Sequence, residues 1–261
     1  MYETLEIERA GRIATIWMNR PAVFNAFDEQ LIGELAAACR ELDADASVRV
    51  VVLGGRGKHF SAGADLNWMK RAAQFTDEQN LEDARKFATM LRTLAQMGKP
   101  TIARVQGAAL GGGTGLTAAC DMAIADTTAA FSTSEVKFGI IPSAISPYVL
   151  RAIGPRHALR YFQSAERITA ERALAIGLVG EVVVPEALDG AIAQLAEALL
   201  QGGPQAQKAA KELIAAVDGQ KIDEIISEET ARRIARQRAT DEAKEGIAAF
   251  LDKRPPSWQP G

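Results

Sequence analysis

Two loops are rich in small residues, and the types and spacing of these residues could stabilise a negative charge. The first, residues 61–64 (Ser-Ala-Gly-Ala), follows a β-branched run, and its small side chains leave backbone amide groups uncovered. The second, residues 107–113, follows a predicted strand and opens a predicted helix. Free amide groups at the amino terminus of a helix stabilise an anionic oxygen. Both loops are therefore candidate oxyanion sites, although an ordinary surface turn explains the first loop equally well.

Glu135 is the candidate acid or base. It precedes a long uncharged stretch, Phe138–Leu150. A carboxyl group that folding removes from water has a raised pKa and can transfer protons near neutral pH. Considered alone, a glutamate at such a place is more often a helix cap or a salt-bridge partner.

A dinucleotide site is a competing interpretation of the second loop. Residues 113–118 fit the pattern G-x-G-x-x-A, and Glu135 lies twenty residues beyond Gly115. A nucleotide-binding unit of that kind normally comes early in its domain, whereas this run lies mid-chain after another glycine-rich loop. The pattern is therefore weak evidence for an oxidoreductase.

Hydrolase and metal chemistry find little support. The only two histidines, His59 and His157, lie outside any nucleophile motif, because the residues after His59 lack the first glycine of G-x-S-x-G. The only two cysteines, Cys39 and Cys120, lie in apolar runs and form no metal-binding pattern. We therefore expect no metal and no disulfide, and cysteine usage favours a cytoplasmic protein.

Composition and charge describe an ordinary soluble protein. Of 261 residues, 48% are hydrophobic and 24% are charged, which excludes disorder. Thirty Lys and Arg against 33 Asp and Glu give a net charge of −3, so neither nucleic acid nor an anionic membrane is an expected partner. The longest uncharged run, between Arg104 and Asp121, is too short and too rich in glycine to span a membrane.

Hydrophobic patterning predicts an α/β fold for most of the chain. Two alternating segments around Ala10-Gly11 predict a hairpin, and a helix is expected to begin near Asp28. The run Val48–Leu53 predicts a buried strand. Further helices and strands alternate up to about residue 200. Only helical patterns follow, so we predict a core over residues 1–200 and a helical region over residues 201–261.

Taken together, the motifs resemble those of the enoyl-CoA hydratase/isomerase (crotonase) family. The matching stretches are residues 60–66 (F-S-A-G-A-D-L), residues 107–113 (G-A-A-L-G-G-G) and residues 134–142. The likeness extends in the same order from residues 19–21 to residues 253–254. It implies a crotonase-like spiral of ββα units with a C-terminal helical trimerisation region, and a homotrimer or a dimer of trimers.

The resemblance also implies an acyl-CoA site. The amide groups of Ala64 and Gly112 would form an oxyanion hole for the thioester oxygen, and Glu135 would be the acid/base. No cofactor is implied, because coenzyme A is part of the substrate. The residues that would contact the acyl-CoA are Val23, Phe24, Ala62, Asp65, Leu66, Gly115, Phe250 and Lys253, the last two from the same or from a neighbouring subunit.

One position departs from the family pattern. Typical hydratases of the family have a second glutamate where this chain has Gly115, so Glu135 is the single remaining carboxyl. The absence of this second glutamate resembles bacterial 3-methylglutaconyl-CoA hydratases of leucine degradation. The chain also resembles these enzymes in residues 65–69, 113–116 and 142–149. The expected substrate is thus a branched or dicarboxylic enoyl-CoA. Lys70 or Arg71 would be the cation for its carboxylate, although an exposed loop charge explains either residue.

Three alternatives remain at this stage. An enoyl-CoA isomerase would use the same residues with a single carboxyl. A CoA-binding protein without activity is compatible with the missing second glutamate. A dinucleotide oxidoreductase would bind NAD.

Overall fold

The computed structural model describes residues 2–259, and the chain divides into two compact units. The first comprises residues 1–97 and 101–193, and the second comprises residues 98–100 and 194–261. The strands are β1 (Leu5–Ala10), β2 (Ile13–Met18), β3 (Val50–Gly55), β4 (Thr101–Val105), β5 (Ala108–Leu110), β6 (Met122–Asp126), β7 (Ala130–Ser132), β8 (Ile168–Thr169) and β9 (Glu181–Val183). The helices are α1 (Glu29–Ala44), α2 (Leu66–Ala72), α3 (Asp77–Ala95), α4 (Gly112–Ala119), α5 (Ser146–Ser164), α6 (Ala170–Ala175), α7 (Leu188–Leu200), α8 (Pro204–Val217), α9 (Glu224–Arg238) and α10 (Asp241–Leu251).

A six-stranded sheet is the centre of the first unit. Its strand order is β1-β2-β3-β4-β6-β9, with β1 antiparallel to β2 and the other neighbours parallel. The predicted hairpin is confirmed, and its turn contains Gly11 with a φ of +58°. All six residues of β3 are buried, as the continuous run of apolar residues predicted.

Two capped helices, α1 and α3, pack together within this unit. Asp28 caps α1 by accepting the amide hydrogen of Leu31, and the apolar stripe of α1 faces the core. Thr76 and Gln79 form the predicted capping box at the start of α3. Cys39 and Cys120 are buried and form no disulfide in the described part of the chain.

A second, three-stranded sheet has the order β5-β7-β8. Its strands are two or three residues long. Such short strands hold together through pairing between distant segments. One isolated bridge, Ser61 with Ala109, joins the loop after β3 to β5, and another, Phe27 with Ala64, joins the same loop to the segment before α1. This small sheet brings the two glycine-rich loops side by side.

The second unit is helical. Its helices α8, α9 and α10 pack against one another. Asp223 and Thr240 cap α9 and α10 through their side chains. No helix in residues 2–259 combines the length and the apolar character that crossing a membrane requires.

Candidate active site

The two glycine-rich loops lie in direct contact. The amide of Ser61 donates to the carbonyl oxygen of Ala108 at 3.0 Å, and the amide of Leu110 donates to the carbonyl oxygen of Ser61 at 2.9 Å. The loop after β3 therefore runs beside β5 like an additional strand. Residues that are almost fifty positions apart in the chain meet here.

Gly63 is a point of close approach between the loops. A β-carbon on Gly63 would lie 3.0 Å from the carbonyl oxygen of Leu110 and 3.9 Å from the amide nitrogen of Gly111. The φ of Gly63 is +90°, a conformation that side chains disfavour. Glycine is required at this position for both reasons.

Each loop presents an uncommitted amide group next to this contact. Within residues 2–259, no oxygen accepts a hydrogen bond from the amide of Ala64, which follows Gly63, or from that of Gly112, which follows Gly111. Gly112 is also the first residue of α4, whose amino terminus carries partial positive charge. Two amide groups that donate to no oxygen of the described residues therefore lie next to the contact between the loops.

Glu135 lies beside the same contact. The chain leaves β7 and enters a short 3-10 helix, Glu135–Phe138. Oε1 of Glu135 lies 3.4 Å from the position that a β-carbon on Gly111 would occupy. Oε2 is buried and has no hydrogen-bond partner among the described residues. Burial raises the pKa of the Glu135 carboxyl, and no cation offsets this effect.

Ile145 covers the next turn of α4. The amide of Gly115 donates to the carbonyl oxygen of Gly111, the residue before α4, so this bond closes the first turn of the helix. A β-carbon on Gly115 would overlap the Ile145 side chain, lying 2.8 Å from its β-carbon. Ile145 is 2% exposed. Gly115 therefore provides space for Ile145 and has no room for a side chain of its own.

An aromatic pair supports the amino terminus of α4. Phe27 and Phe87 meet edge to face with ring centroids 5.5 Å apart. A β-carbon on Gly112 would lie 2.8 Å from Phe27 and 2.9 Å from Phe87. The rings pack directly against the Gly112 backbone and fix its position.

Arg20 holds the residue that follows Ala64. Its guanidinium lies 2.8 Å from Oδ2 of Asp28 and 3.3 Å from Oδ2 of Asp65, and it also donates to the carbonyl oxygen of Ala26. Asp65 caps α2 with its other oxygen. Burial raises the pKa of Asp65, but the capped amide groups and Arg20 outweigh this effect and lower the pKa below its ordinary value. No role for Arg20 was visible in the sequence, because the two carboxylates that it contacts, Asp28 and Asp65, are not its neighbours in the chain.

His59 joins the two loops from the outside. Its Nδ1 accepts the amide hydrogen of Ala108 at 3.0 Å, and its ring meets Phe24 edge to face at 5.1 Å. The sequence analysis considered His59 only as a partner of a nucleophile. The structure assigns it a positioning contact.

The predicted acyl-CoA contacts lie in different environments. Val23, Phe24 and Leu66 are 41%, 50% and 74% exposed. Ala62 is half-buried, and its amide donates to the carbonyl oxygen of Phe24. Asp65 is buried and uses both carboxylate oxygens within the protein.

The remaining predicted contacts lie elsewhere. Phe250, on α10, is 82% exposed, and Lys253 follows that helix with a φ of +54°; both belong to the second unit. Lys70 is exposed on α2. The guanidinium of Arg71 is bound to Glu29 at 2.6 Å.

The glycines of the dinucleotide pattern are packed inside the protein. Gly113, Thr114 and Gly115 are buried, and a β-carbon on Gly113 would lie 2.9 Å from the carbonyl oxygen of Ser61. These glycines allow α4 to approach its neighbours closely. They do not form the open phosphate-binding turn that a dinucleotide needs.

Comparisons with known proteins identify the family. A family model described as enoyl-CoA hydratase/isomerase matches residues 8–261. A crotonyl-CoA hydratase of Syntrophomonas wolfei is 35% identical, with 97% of this chain and 96% of that protein covered. A short-chain-enoyl-CoA hydratase of Clostridium acetobutylicum is 34% identical, with 95% and 94% covered. The crystal structure of an enoyl-CoA hydratase of Shewanella pealeana is 40% identical, with a TM-score of 0.96 and 99% and 97% of the two chains covered.

The chain belongs to the enoyl-CoA hydratase/isomerase family of enzymes. The recognition of the family from its motifs and the prediction of a crotonase-like α/β fold are both confirmed.

Proposed function

We propose that this protein adds water reversibly to the double bond of an α,β-unsaturated acyl-CoA. The observation that carries the proposal is the position of Glu135, whose Oε1 lies beside Gly111 and whose Oε2 is buried without a hydrogen-bond partner among residues 2–259. The next amide along the chain, that of Gly112, is a free donor. A base and an oxyanion site are thus adjacent.

The proposed chemistry follows from this adjacency. Water attacks C3 of the enoyl group while Glu135 accepts a proton from it, and the electron pair of the double bond moves onto the thioester oxygen. The amide groups of Ala64 and Gly112 stabilise the resulting enolate. Glu135 then returns the proton to C2, which completes the 3-hydroxyacyl-CoA. One carboxyl suffices, because it takes up and releases the same proton.

Glu135→Gln tests this assignment. Glutamine keeps the size and the hydrogen-bonding capacity of the side chain but cannot exchange the proton, so kcat for hydration should fall by about 10²- to 10⁴-fold. The absorbance of the conjugated thioester reports the reaction directly. Unchanged hydration of several enoyl-CoAs by the variant would show that Glu135 is not the base.

Isomerisation is the second candidate, because the space that a second carboxyl would need at Gly115 is filled by Ile145. An isomerase would move the double bond without taking up oxygen from the solvent. Turnover in ¹⁸O-labelled water separates the two reactions: a hydratase incorporates the label into its product, and an isomerase does not.

For the substrate, we infer a branched or dicarboxylic enoyl-CoA such as 3-methylglutaconyl-CoA, an intermediate of leucine degradation. The support is the resemblance in residues 65–69, 113–116 and 142–149, together with the apolar Ile145 within the last stretch. Arg71 is neutralised by Glu29, which leaves Lys70 as the better candidate cation for a substrate carboxylate. A panel of straight-chain, methyl-branched and dicarboxylic thioesters tests this inference.

The family resemblance further supports a homotrimer or a dimer of trimers in the cytoplasm. In such an assembly Phe250 and Lys253 would contact the nucleotide end of the acyl-CoA. Light scattering of the purified protein measures the number of subunits. A stable, active monomer would contradict this part of the proposal.

A further inference from the structure

Helix α2, which follows Ala64 and Asp65, is held by few polar contacts. All seven of its residues are exposed or half-buried. Nε1 of the Trp68 indole donates to Oδ1 of Asp83, on α3, at 3.2 Å. The Arg71 guanidinium pairs with a glutamate on α1, but that pair is exposed and screened by solvent. Beyond its capped amino end, the bond from Trp68 to Asp83 is therefore the main polar contact of α2.

Both partners of this hydrogen bond are half-buried. Trp68 packs against the apolar core, and within residues 2–259 it is the only hydrogen-bond partner of the Asp83 side chain. Burial raises the pKa of the Asp83 carboxyl, and the hydrogen bond from Trp68 offsets this rise only in part. Breaking the bond leaves a partly desolvated polar group unsatisfied, so the bond favours one position of α2 on α3.

Trp68 is connected to the free amide of Ala64 through Asp65. The backbone amide of Trp68 donates to Oδ1 of Asp65 at 3.3 Å, and Asp65 follows Ala64 directly. The carbonyl oxygen of Phe27 accepts the amide hydrogen of Asp65 at 2.9 Å. A displacement of α2 is therefore transmitted to the residue next to the Ala64 amide.

Asp83 is connected to the free amide of Gly112 through α3. Phe87 lies four residues beyond Asp83 on this helix, which is about one turn. A β-carbon on Gly112 would lie 2.9 Å from the Phe87 ring, so the ring touches the Gly112 backbone. Helix α3 therefore supports one amide donor through Phe87 and holds the helix that follows the other donor through Asp83.

We propose that Trp68 and Asp83 are positioning residues that fix the amides of Ala64 and Gly112 relative to each other. This inference rests on the proposed function, in which both amides stabilise the enolate. The hydrogen bond joins α2 to α3, the two elements through which these donors are supported. Donors stabilise a developing oxyanion most strongly when their positions are fixed before the reaction.

The test measures kcat and KM with the thioester of the panel that the wild type hydrates fastest. Trp68→Phe keeps an aromatic ring but removes the donor, and Asp83→Leu removes the acceptor. Each variant should lower kcat by about 10- to 100-fold with little change in KM, because a small displacement of a catalytic group weakens binding of the transition state. The double variant should lose no more than either single variant, since all three lack the same bond.

Asp83→Asn is the conservative variant. Its side-chain oxygen can accept the indole hydrogen without carrying a charge, so its kcat should stay close to that of the wild type. If Asp83→Asn loses as much activity as Asp83→Leu, the hydrogen bond does not position the donors and the proposal is wrong.

Trp17→Phe is the matched control. Nε1 of Trp17 donates to Oε2 of Glu8 at 2.7 Å, so this substitution removes the same kind of bond, here between β2 and β1. It should lower the melting temperature while keeping the kcat of the wild type. The proposal is overturned by an unchanged kcat in Trp68→Phe and Asp83→Leu, by a rise in their KM alone, or by an equal fall of kcat in Trp17→Phe.

The outcome is separable from that of the proposed function. If Glu135→Gln abolishes hydration and the Trp68 and Asp83 variants keep the wild-type kcat, the acid/base assignment stands and only the positioning role is wrong. If Glu135→Gln leaves hydration unchanged, the proposed function itself is wrong.

Discussion

Nδ1 of His59 accepts the amide hydrogen of Ala108 across 3.0 Å, and this bond ties the loop after β3 to the strand that leads into α4. The histidine must be neutral at Nδ1 to accept it. Burial lowers the pKa of His59 first, and the positive charges of Lys58 and Arg167 lower it further. The contact between the two glycine-rich loops is thus coupled to pH.

We predict that acid weakens the fold through His59. Because folding lowers this pKa below its ordinary value of 6.5, the contribution to stability is complete above that value. It is lost as the pH falls through the lowered pKa. His59→Asn, whose carbonyl oxygen can accept the same bond without titrating, should therefore show a smaller fall in melting temperature between pH 7.5 and about pH 5.

A neighbouring hydrogen bond provides the control. The amide of Gly107 donates to Oγ1 of Thr128 at 3.2 Å, so Thr128→Val removes a bond from the same loop without removing a titrating group. It should lower the melting temperature at both pH values. If His59→Asn responds to pH as steeply as the wild type, the coupling is absent.

Arg20→Leu should be strongly destabilising. Arg20, Asp28 and Asp65 have side chains that are 19%, 18% and 10% exposed, so the substitution leaves two carboxylates shielded from water without their cation. Breaking a buried pair of this kind costs about 3–5 kcal/mol. Urea denaturation measures the loss, and kcat should fall as well, because Asp65 fixes the chain next to the Ala64 amide.

The surface pair between Arg71 and Glu29 is the comparison. Its side chains are 51% and 42% exposed, so solvent screens the pair and Arg71→Leu should cost much less than Arg20→Leu. Equal losses in Arg20→Leu and Arg71→Leu would show that Arg20 does not anchor the loop.

Glu135→Gln should increase stability at neutral pH while it removes activity. Burial raises the pKa of Glu135 in the folded state, so the folded protein binds its proton more tightly than the unfolded chain does. The wild type therefore loses stability as the pH rises from the ordinary carboxyl value through the raised one. Glu135→Gln has no such loss. The difference in melting temperature between Glu135→Gln and the wild type should therefore be larger at pH 8 than at about pH 4.5.

Glu166→Gln should change the stability relative to the wild type in the opposite direction as the pH rises. A hydrogen bond from Arg160 lowers the pKa of Glu166, so this carboxylate stabilises the fold above its ordinary pKa and the effect is lost on acidification. If the two variants diverge from the wild type in the same direction as the pH rises, the raised pKa of Glu135 is wrong.

Local patterns were sufficient to predict the large sheet and its helices. The alternation of helices and strands before about residue 200 and the helical pattern after it were predicted, because elements such as β4 and α10 have strong periodicity and clear end signals. The run Val48–Leu53 was displaced by two residues from β3, since the pairing of β3 with β2 continues through Gly54 and Gly55.

Long-range packing could not be predicted in this way. Residues 108–110 were interpreted as part of a glycine-rich turn, yet they form β5, because they pair with β7 and with Ser61. The buried carboxyl of Glu135 depends on contacts that no spacing along the chain specifies. The replacement of a carboxyl at Gly115 was visible in the sequence, but the identity of the side chain that fills its place was not.

Two helix glycines test the packing of α4 directly, because the same substitution should have opposite effects on them. A β-carbon on Gly33, in the exposed part of α1, meets no atom within 4 Å, and its backbone is helical, so Gly33→Ala should stabilise the fold by about 0.4–1 kcal/mol. A β-carbon on Gly115 would overlap Ile145, and overpacking a core costs about 1–3 kcal/mol. Thermal or urea unfolding of the two alanine variants measures whether each substitution stabilises or destabilises the protein. If Gly115→Ala is as stable as Gly33→Ala, Ile145 does not occupy the space over Gly115.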